Sequence, residues 1–145
     1  MRILLGSALL AASCIGQTYG TWNMNPALST FTGASRPKSI TVRIEQHPKG
    51  EVLTVDRIET DGRTISSSGI LYLDGLPREF QDFECSGSQS SRRVDKQAIE
   101  ILRTCEGGRR LRLIRTTRQR ELVLEITEQH ADGRHFERRL VLDRR

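Results

Sequence analysis

From residue 39 onward the chain repeats one pattern, short runs in which apolar and polar residues alternate with period two, each closed by a turn signal. In 39–46, Ile40, Val42 and Ile44 fall on one face and Thr41, Arg43 and Glu45 on the other. The same alternation returns in 52–58, 65–73, 98–104, 109–116, 121–127 and 136–142. Between the runs stand Pro48-Lys49-Gly50, Asp61-Gly62, Asp74-Gly75, Gly107-Gly108 and Asp132-Gly133, which are hairpin chemistry. No segment of helical period is long enough for a βαβ crossover, so parallel α/β architectures are excluded. A meander with one apolar face must pack on a second layer or curl onto itself, and no helix is at hand to cover it. The expected fold is therefore all-β, an antiparallel up-and-down meander closed into a β-barrel of about 8–10 strands.

Register tests this reading. A plain two-residue turn at Asp132-Gly133 would set the apolar residues of the last two strands on opposite faces. A bulge with Gly133 in the left-handed region instead pairs Leu122 with Leu142, Leu124 with Leu140 and Ile126 with Arg138. A two-residue turn at Arg118-Gln119 then brings Leu111 and Leu113 to the same face. The stretch Ser86-Gly87-Ser88-Gln89-Ser90-Ser91 is small and polar and reads as a loop.

The 145 residues suffice for one domain with a modest core. Charged residues make up 28%, with 23 basic against 18 acidic, so the net +5 is a bias and not a polycationic character. Only 5% of residues are aromatic and the acids are interleaved, which speaks against nucleic-acid binding despite runs such as Arg109-Arg110-Leu111-Arg112.

Met1-Arg2 followed by an uncharged apolar run to Ile15 reads as a secretory signal peptide, assigned to 1–20, with the barrel at 21–145. The run is too short to span a bilayer core. Within it, Leu10-Ala11-Ala12-Ser13-Cys14 resembles a bacterial lipobox, in which Cys14 would be lipidated and the protein anchored; otherwise the chain is released to the periplasm or beyond. Export leaves Cys85 and Cys105, an even pair that suggests a disulfide, the alternative being two buried thiols.

Gly20-Thr21-Trp22, with Asn25, Ser29 and Phe31, reads GTWNMNPALSTF and resembles the start of small exported bacterial proteins described as lipocalin-like. Pro37-Lys38-Ser39 before Thr41-Val42, and Asp74-Gly75 before Pro77, extend the likeness over most of 20–143. The resemblance implies a barrel and export. It further implies that Trp22 closes one barrel end under an arginine of the last strand, Arg138 or Arg139. It carries no shared activity, and ligand carriage by analogy would rest on the fold alone. The departure is the arginine load, 20 of the 23 basic residues.

No nucleophile stands at a spacing that suggests its base, Ser66-Ser67-Ser68 lacks a glycine-flanked elbow, and no phosphate loop is present, so an enzyme has no support and no cofactor is expected. His130 and His135 flank one turn near Glu128 and Glu137, and they read as solvated turn residues, not a metal site. Outward Arg110, Arg112 and Thr116 are expected to pair with Glu121 and Glu125. The informative residues are the arginines that alternation places on the apolar face, Arg103, Arg115 and Arg138. A buried unpaired guanidinium is prohibitive, so each must reach water at a barrel mouth, pair with an inward acid such as Glu128, stack on Trp22, or meet an anionic ligand. The sequence thus points to an exported, non-enzymatic binding protein for a small apolar or amphipathic ligand. The alternative is an envelope interaction or inhibitor module with a solid core, using the 86–91 loop against a protein partner.

Overall fold

The computed structural model describes residues 18–32 and 35–145. Cys14 and all but the last three residues of the leader assignment lie outside that range. Eleven strands follow one another: β1 (Gly20–Met24), β2 (Thr30–Phe31), β3 (Ser39–His47), β4 (Gly50–Ile58), β5 (Thr64–Leu71), β6 (Arg78–Gln81), β7 (Ser86–Arg93), β8 (Ala98–Cys105), β9 (Arg110–Arg118), β10 (Glu121–Gln129) and β11 (His135–Arg144). They form a single antiparallel sheet in the order β5-β4-β3-β1-β11-β10-β9-β8-β7-β6, with the short β2 on β11. The sheet curls on itself as the meander requires. β1 and β11 bring the two ends of the sequence side by side, and among the described residues no ladder joins β5 to β6. That seam is the one place where the wall is not hydrogen-bonded shut.

The final hairpin pairs Leu122 with Leu142, Leu124 with Leu140 and Ile126 with Arg138, and Gly133 has φ +88°. This is the bulged register that a common apolar face demands. In the preceding hairpin Glu121 pairs with Arg118, so the turn is Gln119-Arg120 and the register differs by two residues from a turn at Arg118-Gln119. An even slip keeps Leu111 and Leu113 on the interior face. The 86–91 stretch is not a loop. It lies within β7, paired with β6 on one side and β8 on the other, because a central strand accepts small polar residues once both backbone edges are bonded.

The core runs along the inner face: Trp22, Ile40, Val42, Ile44, Ile99, Ile101, Leu111, Leu113, Leu122, Ile126, Leu140 and Leu142 are all buried. Cys85 and Cys105 form a disulfide across the β7–β8 edge, with Cα atoms 5.1 Å apart. It ties the turn before β7 to the end of β8. Reducing this bridge, or replacing both cysteines by alanine, is expected to lower stability by about 3 kcal/mol, the chain-entropy value for a loop of this length. Urea unfolding with and without reductant measures it, and a shift below about 1 kcal/mol would show that the reduced chain keeps this turn closed on its own.

Thr18 and Tyr19, within the residues read as the leader, make contacts to the sheet. Thr18 is buried, its hydroxyl lies 2.8 Å from that of Thr117, and its carbonyl accepts the Trp22 indole N–H at 2.9 Å.

Candidate functional site

Alternation along β4 turns Glu51, Leu53, Val55 and Arg57 inward, because one residue parity faces the interior. The same rule brings Ile101 and Arg103 in from β8, Leu113 and Arg115 from β9, Leu124 and Ile126 from β10, and Arg138 and Leu140 from β11. Together with Val42 and Phe80 these side chains, Glu51 excepted, surround a cavity of about 130 Å³. Its middle is aliphatic and four arginines, Arg57, Arg103, Arg115 and Arg138, line it. The three arginines picked out by parity in the sequence, Arg103, Arg115 and Arg138, are therefore all interior.

They do not act as one cluster. Arg115 sits deep, near the Trp22 end, where its Nη2 donates to both oxygens of Glu51 at 2.7 Å. Glu51 is 2% exposed and Arg115 3%, so this ion pair is removed from water. Its partner is Glu51 and not Glu128, which lies on the opposite rim with Arg109 at 3.1 Å. Burial pushes the Arg115 guanidinium down from its ordinary value, and the Glu51 carboxylate opposes that shift. The other terminal nitrogen, Nη1, is buried without a hydrogen-bond partner among the described residues. Arg57 Nε, also on a cavity-lining side chain, likewise makes no hydrogen bond among the described residues, but it is ion-paired to Glu59. A buried charged donor on a cavity-lining side chain is a position where a ligand acceptor would be favoured.

The remaining three arginines gather at the other end, against the turn that connects β6 to β7. There one oxygen of Glu84 lies 3.0 Å from Arg57 Nη1 and 3.4 Å from Arg138 Nη1, bridging β4 and β11, which β3 and β1 separate in the sheet. Asp82 lies 3.7 Å from Arg103 Nη1, and Arg103 Nε donates to Gln89 at 2.8 Å. Burial lowers the Arg103 value, with Asp82 and Glu84 opposing and Arg138 reinforcing the effect. Arg57 further meets Glu59 at 2.6 Å. Asp82 organises the turn itself, its side chain accepting the backbone N–H groups of Glu84 and Cys85, both at 2.8 Å. The disulfide anchors the same turn at Cys85, and Phe83 on it remains 42% exposed while lining the cavity. The interior is thus charge-balanced at both ends: Glu51 answers Arg115, and Glu59, Asp82 and Glu84 answer Arg57, Arg103 and Arg138.

Trp22 is fully buried and closes the deep end. The arginine over its ring is Arg144, 4.3 Å from the ring centroid, and neither Arg138 nor Arg139. Register explains the difference, since β1 pairs Trp22 directly with Arg144. Arg138 pairs instead with Phe31 of β2 at the far end, and Arg139 faces outward toward Glu125 at 3.8 Å. On the outer surface Arg112 pairs with Glu100 of β8 at 2.8 Å and not with Glu121 or Glu125, Arg92 reaching the same carboxylate at 2.9 Å. His130 and His135 lie 3.4 and 3.2 Å from Glu128 and Glu137, and no group of three or more metal-ligating side chains occurs among the described residues.

Sequence parity alone could have found Glu51 and Arg57, because both share the parity of Leu53 and Val55. Asp82 and Glu84 lie in a turn, where alternation gives no direction, and nothing in the sequence marks them.

No family model and no curated protein matches this chain. Solved structures do. The zebrafish ileal bile acid-binding protein complexed with cholic acid superposes with a TM-score of 0.59 at 10% identity, over 89% of this chain and 99% of that one. The REP1-NXSQ fatty acid transporter gives 0.59 at 12% identity over 90% and 97%. A Schistosoma mansoni fatty acid binding protein in complex with arachidonic acid gives 0.55 at 10% identity over 92% and 99%. At these identities the likeness is one of fold, and it extends over nearly the whole length of each chain.

Proposed function

We propose that this protein is an exported, non-enzymatic carrier whose barrel holds a small apolar or amphipathic ligand, its polar group accepting a hydrogen bond from Arg115. The observation that carries the reading is an aliphatic cavity lined by Arg115, whose buried Nη1 has no hydrogen-bond partner among the described residues. The structural neighbours that hold cholic or arachidonic acid support it. The signal-like start supports export, and the GTW start supports kinship with the lipocalin-like proteins. The solid inhibitor module loses the loop on which it rested, since 86–91 is strand.

The ligand is small. Pockets for drug-sized ligands run from about 300 to 1,000 Å³, well above the space available while the 82–85 turn stays in place. The charge balance of the interior also means that an anionic head meets no net field while Glu84 holds Arg57 and Arg138. Octanoate and octanol are therefore expected to displace an apolar fluorescent probe with similar affinities, and palmitate to compete poorly. Glu84→Gln leaves the interior with a net positive charge, so octanoate should gain roughly tenfold from the field alone, with no new hydrogen bond to its head, while octanol should not change. Native mass spectrometry of the protein purified from its own host, together with these displacement titrations, tests the proposal. A chain that carries no co-purifying small molecule and takes up neither octyl compound is not a carrier.

A further inference from the structure

We infer that the Trp22 end of the barrel is a docking surface for an anionic phospholipid bilayer, so that the protein stands on a membrane with its cavity mouth turned away. The ladder fixes which segments share that end. The Pro48-Lys49 turn, the 94–97 connection, the Gln119-Arg120 turn and the residues after β11 all close strands on the side where Gly20 begins β1. The turns 59–63, 106–109 and 130–134 close the other side.

Charge divides unequally between the two. At the Trp22 end Lys49, Arg93, Lys96, Arg118, Arg120 and Arg145 are all exposed, and among the described residues none of their side chains forms an ion pair. Nearby acids are fewer, Asp95, Glu121 and Asp143, and the Arg78–Asp74 pair cancels itself. At the mouth end Arg63 is answered by Asp61 at 2.7 Å, Arg134 by Asp132 at 2.7 Å and Arg109 by Glu128 at 3.1 Å, while the exposed Arg36, Lys38 and Arg110, which form no ion pair among the described residues, share that end with the exposed Glu79 and Glu106. Self-paired cations present little field beyond a Debye length of about 8 Å, whereas unpaired ones on loop tips can lie directly against lipid phosphates.

Two further observations point to a bilayer and not merely to a soluble polyanion. Leu76 and Val94, 59% and 50% exposed, stand at this same end, brought together by the Asp74–Arg92 bridge and the Gly75 to Ser91 hydrogen bond. Apolar tips within a basic rim match the layered polarity of a membrane interface. Thr18, four positions after Cys14 in the sequence, packs beside Trp22 and Thr117 at this end. Four residues span at most about 14 Å, so lipidation of Cys14 would tether this end to the same membrane and add a second signal to the basic rim.

The test uses residues 16–145, which hold the whole sheet and omit both the apolar leader run and Cys14, and co-sedimentation with vesicles of phosphatidylcholine alone or mixed with phosphatidylglycerol. Binding is expected only to the anionic vesicles and should vanish in high salt. The triple reversal Lys96→Glu, Arg118→Glu, Arg120→Glu should weaken it roughly a hundredfold. The mouth-end reversal Arg63→Glu, Arg134→Glu should leave it unchanged, and urea midpoints establish that each variant is folded. Absence of binding to anionic vesicles, equal binding to both vesicle types, or equal loss in the two reversals would each overturn the inference.

Discussion

Glu51→Ala is expected to destabilise the protein by about 3–5 kcal/mol, a large share of the roughly 5–15 kcal/mol that holds a small domain folded. The loss does not measure an attractive bond. Arg115 cannot shed its proton in the interior, so removing Glu51 strands a full charge where water does not reach. Arg115→Leu should cost less than Glu51→Ala, because a stranded carboxylate can take up a proton. The double replacement Glu51→Leu, Arg115→Leu removes both charges and is expected to recover most of the stability, since a buried pair competes poorly with well-packed aliphatic side chains. Urea unfolding of the unaltered chain, Glu51→Leu, Arg115→Leu and the double replacement gives the cycle, and unchanged slopes would show that only stability moved. A cost below about 1 kcal/mol for Glu51→Ala would mean that water reaches Arg115. The double variant also separates fold from function, for it should fold well and yet lose octanoate and octanol together, the Arg115 donor being gone.

Much of this architecture was legible because period-two patterning and turn chemistry act locally. Leu122, Leu124 and Ile126 share one parity, and only one turn geometry lets Leu142 and Leu140 answer them, so the final hairpin can be registered residue by residue. The interior positions of Arg103, Arg115 and Arg138 follow from the same count. Parity gives a face but no height along the barrel. That is why the three arginines read as one set when the structure divides them between Glu51 at one end and the Asp82–Glu84 turn at the other. Height is set by strand stagger, which depends on how all the ladders add up around the curl. The 86–91 stretch failed for a different reason. Its serines carry no apolar face, and its strand character comes from the backbone bonds that β6 and β8 supply, a tertiary effect overriding weak propensity. The Trp22 cap fell between these cases. That an arginine of the last strand covers Trp22 was implied by resemblance, but which arginine required the β1–β11 register, and Asn23 opposite Asp143 places it at 144.

Trp22→Ala is the second change with a large expected effect, about 3–5 kcal/mol, the range for truncating a fully buried aromatic side chain. Three contributions meet at this residue and can be told apart. The ring fills the deep end beneath Arg144. The indole N–H donates to Thr18, so Trp22→Phe keeps most of the packing while leaving a buried carbonyl unpaired, for about 1 kcal/mol. The guanidinium lies over the ring and also donates to the Tyr19 carbonyl at 2.9 Å, so Arg144→Ala should cost about 1 kcal/mol, and lysine should recover only part of it for want of a planar stack. Gly20 belongs to the same arrangement. Its φ is +134°, and a side chain there would meet Arg144 Nη1 at 2.9 Å, so Gly20→Ala should both strain the backbone and disturb the cap. Urea midpoints for the five variants order them, with Trp22→Ala lowest. None of the milder four should alter octanoate binding, because the ring separates Arg144 from the cavity. If Arg144→Ala abolished uptake while sparing stability, the cap would instead be a part of the ligand site, and the deep end of the barrel would have to be open.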